Sequence, residues 1–187
     1  FSSNDVAETV ADEWRSGNEH YTQIDWDELY NQNRISSDGA VYAVDERVER
    51  IARAQVMLRF HTEFSQNIRL SYGLRGVYDS SRNYKQMVDL LGATHLRDID
   101  YYLMDDDTFS NSLQNDLRNP NRDVAEGGRF SYDYELTSRS IEADVMFEYN
   151  SNRWRVGVDI AAGSLQQLRR GYFEKELFPK EKSYGRS

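Results

Sequence analysis

The sequence contains no cysteine, so neither disulfides nor thiolate chemistry contribute to its fold or its activity. Histidine is almost as scarce: His20, His61 and His95 are scattered, without the helical-turn spacing that pairs metal ligands. No Gly-rich phosphate loop and no nucleophile elbow occur. Carboxylate pairs exist, but 32 acidic residues make such pairs inevitable. The chain is therefore not expected to be an enzyme, and no catalytic, cofactor-binding or metal-binding residue is assigned from the sequence. Basic blocks are missing too. With 23 Lys and Arg against 32 Asp and Glu, and a net charge of −9, nothing is clustered to neutralise phosphates, and no nucleic-acid partner is expected. No run of about eighteen apolar residues is present, which excludes a membrane span by a helix. A β-barrel stays open, because barrel strands turn only alternate residues to lipid and so keep the mean hydropathy low, here −0.82. Phe1-Ser2-Ser3-Asn4 has neither the basic region nor the apolar stretch of a signal peptide, as expected of a chain that is mature, cut from a longer one or never exported.

What is present is tyrosine, 13 copies in 187 residues, which suits strands and interfacial girdles as well as ligand-binding surfaces. The length fits one ordinary domain. The clearest pattern lies between Ile51 and Asp79. Ala52, Ala54, Val56, Leu58, Phe60, Thr62 and Phe64 share one side of a strand, and Arg53, Gln55, Met57, Arg59, His61 and Glu63 the other. After Ser65-Gln66-Asn67 the alternation resumes, with Ile68, Leu70, Tyr72, Leu74 and Tyr78 opposite Arg69, Ser71, Gly73, Arg75 and Asp79. This predicts a hairpin over residues 51–79. A second is predicted over 136–164, where Ile141, Ala143, Val145, Phe147 and Tyr149 turn through Asn150-Ser151-Asn152-Arg153 into Trp154, Val156, Val158, Ile160 and Ala162.

The remaining segments, 1–50, 80–135 and 165–187, read as loops carrying short elements. Val6, Val10 and Trp14 recur at helical spacing with Asn4 or Asp5 as cap and Gly17 as stop, and Asp25 caps a second helix carrying Trp26, Leu29 and Tyr30. Ala40 to Val44 reads as a short strand. Tyr84, Met87, Val88 and Leu91 have helical spacing closed by Gly92. Asp98, Asp100, Asp105, Asp106 and Asp107 raise a calcium site, but the alternating ligands and turn glycine of an EF-hand are missing, and a solvated acidic loop is the preferred reading. Turn residues through Asn119-Pro120-Asn121 and Glu126-Gly127-Gly128 lead into a new strand at Phe130.

Two short turns alternate with one connection of about fifty residues, far beyond what a compact domain needs. Outer-membrane barrels have this asymmetry, with short periplasmic turns and long extracellular loops. Each alternating run also reaches the roughly nine to eleven residues that cross the hydrocarbon. Phe64, Tyr149 and Trp154 sit beside the tight turns, where an interfacial girdle lies. The competing architecture is an antiparallel sheet with one face on a core and one in water. Pairing Phe64 with Ile68 sets Glu63 against Arg69. Pairing Tyr149 with Trp154 sets Glu148 against Arg155, and also Asp144 against Asp159, which needs a cation from elsewhere.

The runs Gln23-Ile24-Asp25-Trp26-Asp27-Glu28-Leu29-Tyr30-Asn31-Gln32-Asn33-Arg34, Asp89-Leu90-Leu91-Gly92, Gln114-Asn115-Asp116-Leu117, Glu126-Gly127-Gly128-Arg129-Phe130-Ser131-Tyr132-Asp133-Tyr134 and Arg170-Gly171-Tyr172-Phe173-Glu174-Lys175-Glu176-Leu177-Phe178-Pro179, with Ser183-Tyr184-Gly185-Arg186, resemble the barrel region of TonB-dependent outer-membrane receptors, of the large type with an N-terminal regulatory-like domain and a plug. The resemblance spans nearly the whole chain. It implies an all-β fold in which 1–187 is a segment of an antiparallel transmembrane barrel of about 22 strands, with long extracellular loops containing short helices. It also implies a place in the cell outer membrane and TonB-dependent uptake of a ligand. The implied partners are the lipid bilayer, the plug and remaining strands of a parent chain, TonB acting through that parent, and an imported ligand whose binding residues cannot be carried over. The alternative function is a soluble extracellular β-rich binding module.

Overall fold

The computed structural model describes residues 4–100, 113–176 and 179–186. Three helices, α1 (Asn4–Ser16), α2 (Glu19–Thr22) and α3 (Trp26–Ile35), precede β1 (Val44–Ser65) and β2 (Ile68–Asp89). The two-residue strands β3 (Leu96–Arg97) and β4 (Asp123–Val124) pair with each other, and β5 (Arg129–Asn150), β6 (Arg155–Gly171) and β7 (Lys182–Arg186) follow. The main sheet is open and antiparallel in the order β1-β2-β5-β6-β7, and the described residues form no closed barrel.

Both predicted hairpins form, and both are longer than the side-chain alternation indicated. β1, β2 and β5 each run for 22 residues. Just beyond Asp79 the side chains are polar on both faces, as at Ser80, Ser81, Arg82 and Asn83, while the backbone ladder continues to Gln86 and Arg129, interrupted by one bulge on β5 between Phe130 and Asp133. Gln166 to Gly171, read as loop for the same reason, belongs to β6. The backbone and polar cross-strand contacts such as Ser80–Glu135, Ser81–Glu49 and Arg82–Asp133 carry pairing there, and neither leaves a trace in a hydropathy pattern.

The segment with helical spacing, Tyr84 to Leu91, is strand as far as Asp89. Tyr84 and Met87 fall on opposite faces and both are almost fully buried. Arg50 and Arg129 lie over the Tyr84 ring, and Met87 packs with Ala40, Leu90, Val124 and Phe130. Burial on both faces abolishes the period of two and leaves a spacing that imitates a helix. Gly92 does mark an end: Leu91 at φ 49° and Gly92 at φ 84° turn the chain out of the sheet. The short strand expected at Ala40 to Val44 is absent apart from Val44, where β1 starts.

α1 ends at Gly17 (φ 75°), and the Asp25 side chain accepts from the Glu28 N–H at 3.0 Å to start α3, both as the sequence indicated. The side chains of Asn4 and Asp5 lie outside the described ones.

The first turn is tighter than expected. Ser65 rather than Phe64 opposes Ile68, and Phe64 is taken up in a bulge. The second connection is Ser151 to Trp154, closed by Ser151 N–H to Trp154 C=O at 2.7 Å, so Trp154 belongs to the turn. Tyr149 then opposes Val156 and Asn150 opposes Arg155, two residues away from the expected register. An even slip keeps every side chain on its face. It removes the contact expected between Glu148 and Arg155: Gly157 faces Glu148, and Arg155 donates to Asn150 Oδ1 at 2.9 Å.

Pairing of β2 with β5 brings the two tight turns together, with Asn150 N–H donating to Asn67 C=O at 2.8 Å. The long connections all leave from the opposite end of the strands. There a small core of Ala40, Met87, Leu90, Val124 and Phe130 forms. Asn33 of α3, 3% exposed, ties the core together: its amide donates to the Tyr42 and Leu90 carbonyls and accepts from the Val41 and Tyr42 N–H groups. Asn33→Leu strands the buried Leu90 carbonyl at about 1–3 kcal/mol, and leaves the part-buried groups of Val41 and Tyr42 without their partner at a smaller cost. We expect this variant to expose 34–43 to proteases and amide exchange while both hairpins stay protected, as read by limited proteolysis and hydrogen exchange.

Candidate functional site

The two faces of the sheet differ in chemistry along the half nearest the turns. On one face, cross-strand rows run Thr62, Leu70, Phe147, Val158, then Phe60, Tyr72, Val145, Ile160, then Leu58, Leu74, Ala143, Ala162. Phe60 stacks on Tyr72 with ring centroids 5.3 Å apart. None of Val56, Leu58, Leu70, Leu74, Val145, Phe147, Val156 and Val158 is buried, and no described helix or second sheet covers them. Contiguous apolar surface of this extent means an interaction face.

The opposite face carries a ladder of ion pairs. Arg69 lies between Glu63 (3.0 Å) and Glu148 (3.7 Å), Arg75 reaches Glu142 at 3.2 Å, and Arg53 reaches Asp79 at 3.2 Å. Arg59, Arg69, Arg75 and Arg155 all share this face, none of them the face of Leu58 and Val156. The Asp144–Asp159 opposition does not arise, because Asp144 faces Ala161 in the observed register. The cation Asp144 needs comes from two strands away: Arg59 reaches its Oδ2 at 2.8 Å across Gly73. A Cβ at residue 73 would lie 2.6 Å from Asp144 Oδ1, so the glycine opens the path between the two side chains. These pairs are exposed and each stabilises by only about 0–1 kcal/mol. Their placement reflects which face tolerates charge.

At the end remote from the turns, buried polar groups fasten the connections. Asp98 accepts from the Asn115 amide and the Ser131 N–H, both at 2.9 Å, and from the Arg122 guanidinium. Its oxygens are thus committed to the protein, and among the described residues no three His, Cys, Asp or Glu side chains are grouped to hold a metal. Asp105, Asp106 and Asp107 lie outside the described residues. Lys175 donates to Asn115 Oδ1 at 2.8 Å, and burial lowers its pKa against the attraction of Asp100 and Asp98. Tyr172 donates to Glu135 and packs under the Arg82 guanidinium, 3.9 Å from its ring centroid; burial and the Glu135 carboxylate raise its pKa. Burial pushes the Asp116 carboxyl up, but hydrogen bonds from the Glu174 N–H, the Asn119 amide and the Arg118 N–H outweigh it and hold the pKa below the usual range.

The hydropathy pattern had no means of finding Asp98, Asn115, Asp116 and Lys175 as a cluster, since β3, β4 and the 172–176 segment bring them together from distant parts of the chain. Nor did it single out Arg47 and Lys85, which oppose each other on the polar face where β2 had been read as a helix.

No protein-family model matches this chain, and no curated protein and no solved structure matches it either.

Two expectations follow. An Arg59→Gln/Asp144→Asn double-mutant cycle should give a coupling of about 0.2–1 kcal/mol in denaturant unfolding, and this coupling should vanish in a Gly73→Ala background. Because the Asp116 pKa is depressed in the fold, its stabilisation is complete above the ordinary carboxyl range and is lost as pH falls through the lowered value. Asp116→Asn should therefore loosen the 172–176 segment at neutral pH, and proteolysis rates of variant and parent should converge in acid.

Proposed function

We propose that this chain forms part of the wall and mouth of an outer-membrane β-barrel receptor of the TonB-dependent kind, in the cell outer membrane. The observation that carries the reading is the sorting of charge: four arginines stand on one face of the paired strands, while the rows around Leu58, Val145 and Val158 leave the other face apolar and uncovered. At about 3.3 Å per residue, a band from Ala54 to Phe64 is roughly 35 Å along the strand, and a strand tilt near 45° reduces this to about 25 Å, the height of a barrel's lipid-facing belt. Phe64, Tyr149 and Trp154 lie at the turn end of that band, where an aromatic girdle belongs.

The sheet edges agree with this reading. β1 has an unpaired outer edge among the described residues, and β6 is covered by β7 only from Gln166 to Arg170. Bare edges are not tolerated in hydrocarbon, so further strands have to flank these on both sides. The ladder of ion pairs then faces a watery interior, and the connections gathered around Asn33 and Asp98 form the external mouth. Ligand capture by that mouth, followed by passage along the charged face under control of a plug and TonB, is the function proposed.

The absence of native cysteine makes a labelling test clean. Single cysteines at Val145 and Leu58 should react with a lipid-dissolved maleimide and resist a water-soluble one, and cysteines at Met146 and Met57 should do the reverse. Val145→Arg should cost about 2–4 kcal/mol of stability in bilayers and change little in a protein whose apolar face meets no lipid. Equal water access at Val145 and Met146, with the chain soluble without detergent, would instead favour the extracellular binding module.

A further inference from the structure

On the polar face, at the end away from the turns, a hollow of about 700 Å³ lies between the strands, the α3–β1 connection, and β3 with the residues just after it. Its size falls within the roughly 300–1,000 Å³ of small-molecule sites. Its strand floor holds Arg47 directly opposite Lys85, with Phe130 the next partner in the row. Like charges facing each other across a ladder are unfavourable. Lys85 is compensated by Asp45 at 2.9 Å and rests 5.2 Å from the Phe130 ring centroid. On the far wall, Arg97 is held between Asp38 (3.3 Å) and Asp123 (2.8 Å). Arg47 alone of these cations makes no ion pair with a described residue, in a chain whose net charge is −9. The remaining wall is apolar at Val41, Leu96 and Ile99, with polar atoms from Asn115 and Tyr132.

We propose that this hollow binds a small organic anion, its carboxylate at Arg47 and Lys85 and its ring or apolar body against Phe130, Leu96 and Ile99. Asp38 is ion-paired with Arg97, which it shares with Asp123, and the Asp100 charge acts on Lys175. The proposal goes beyond the receptor reading and does not need it, because the hollow is built by the loop end and not by the apolar band. A charge-assisted hydrogen bond to a guanidinium in a half-enclosed, apolar-walled site favours the carboxylate over its neutral isostere.

The test uses the full chain in detergent micelles, with para-fluorobenzoate as probe, para-fluorobenzamide as its neutral counterpart, and fluorine NMR line broadening as readout. The benzoate should bind at least tenfold more tightly than the benzamide and weaken as salt rises. Arg47→Gln should reduce benzoate affinity at least tenfold and leave the benzamide unchanged. Arg53→Gln, on the same face but outside the hollow, should alter neither. Arg47 is exposed, so its loss is not expected to unfold the chain; unchanged amide exchange at Asn33 would verify this. No benzoate binding at millimolar concentration overturns the proposal, as does equal binding of both probes or indifference to Arg47→Gln. Binding that emerges only when Asp105, Asp106 and Asp107 are all changed to Asn also overturns it, by assigning the hollow to the chain's own acidic stretch. Failure of the cysteine-labelling test would leave these outcomes untouched, so the two readings fall separately.

Discussion

The antiparallel pairing of β2 with β5 is the constraint on which the rest depends. It is the non-local contact that joins two self-contained hairpins, and its register, Arg69 against Glu148 and Leu70 against Phe147, aligns the apolar rows of one with those of the other. A slip by one residue would turn the arginines of one hairpin toward the valines of its neighbour. The same pairing seats Asn67 beside Asn150 and so commits both tight turns to one end and every long connection to the other. Asymmetry between the ends is thus a consequence of which strands pair, with loop length following.

Loop-end structure depends on a different kind of interaction. Its apolar core is small, so order there rests on buried polar groups that each satisfy several partners at once, backbone groups among them: Asn33 for the α3–β1 connection, Asp98 for the start of β5, Asp116 for the 172–176 segment. Hydrogen bonds of this kind stabilise modestly when made and penalise heavily when one partner is lost. Such a body stays well defined while exposing polar and charged surface, which is the combination a ligand-capturing mouth requires. The sheet below it is held by backbone ladders and cross-strand rows, and tolerates change on its charged face because each ion pair there contributes little.

Gly73 illustrates how the two faces are managed at close quarters. A side chain there would stand between Arg59 and Asp144, so its absence lets a charge pair reach across a whole strand and leaves no carboxylate on β5 uncompensated at that level. On the other face the neighbouring residues Tyr72 and Leu74 carry the bulk. Charge compensation and apolar packing are therefore solved on alternate residues of one strand, without competing for space.

What the sequence determined by itself was what repeats locally. Alternation along Ile51 to Asp79 and Ile141 to Ala162 specified the hairpins and the face on which each side chain lies, and Asp25 and Gly17 marked helix ends, because these depend on neighbours a few residues apart. Tertiary structure decided the rest. The turn through Ser151 chose a register two residues from the one hydropathy suggested, since an even slip leaves the faces, and hence the pattern, unchanged. Tyr84 to Asp89 became strand because pairing with β1 to the end and with β5 as far as Gln86, together with burial of Tyr84 on one face and Met87 on the other, outweighed a helical spacing. The gathering of Asn33, Asp98, Asn115 and Lys175, and the opposition of Arg47 to Lys85, arise from contacts between segments far apart in the chain. No local pattern encodes these contacts, because their energy lies in who meets whom after the ladders have formed.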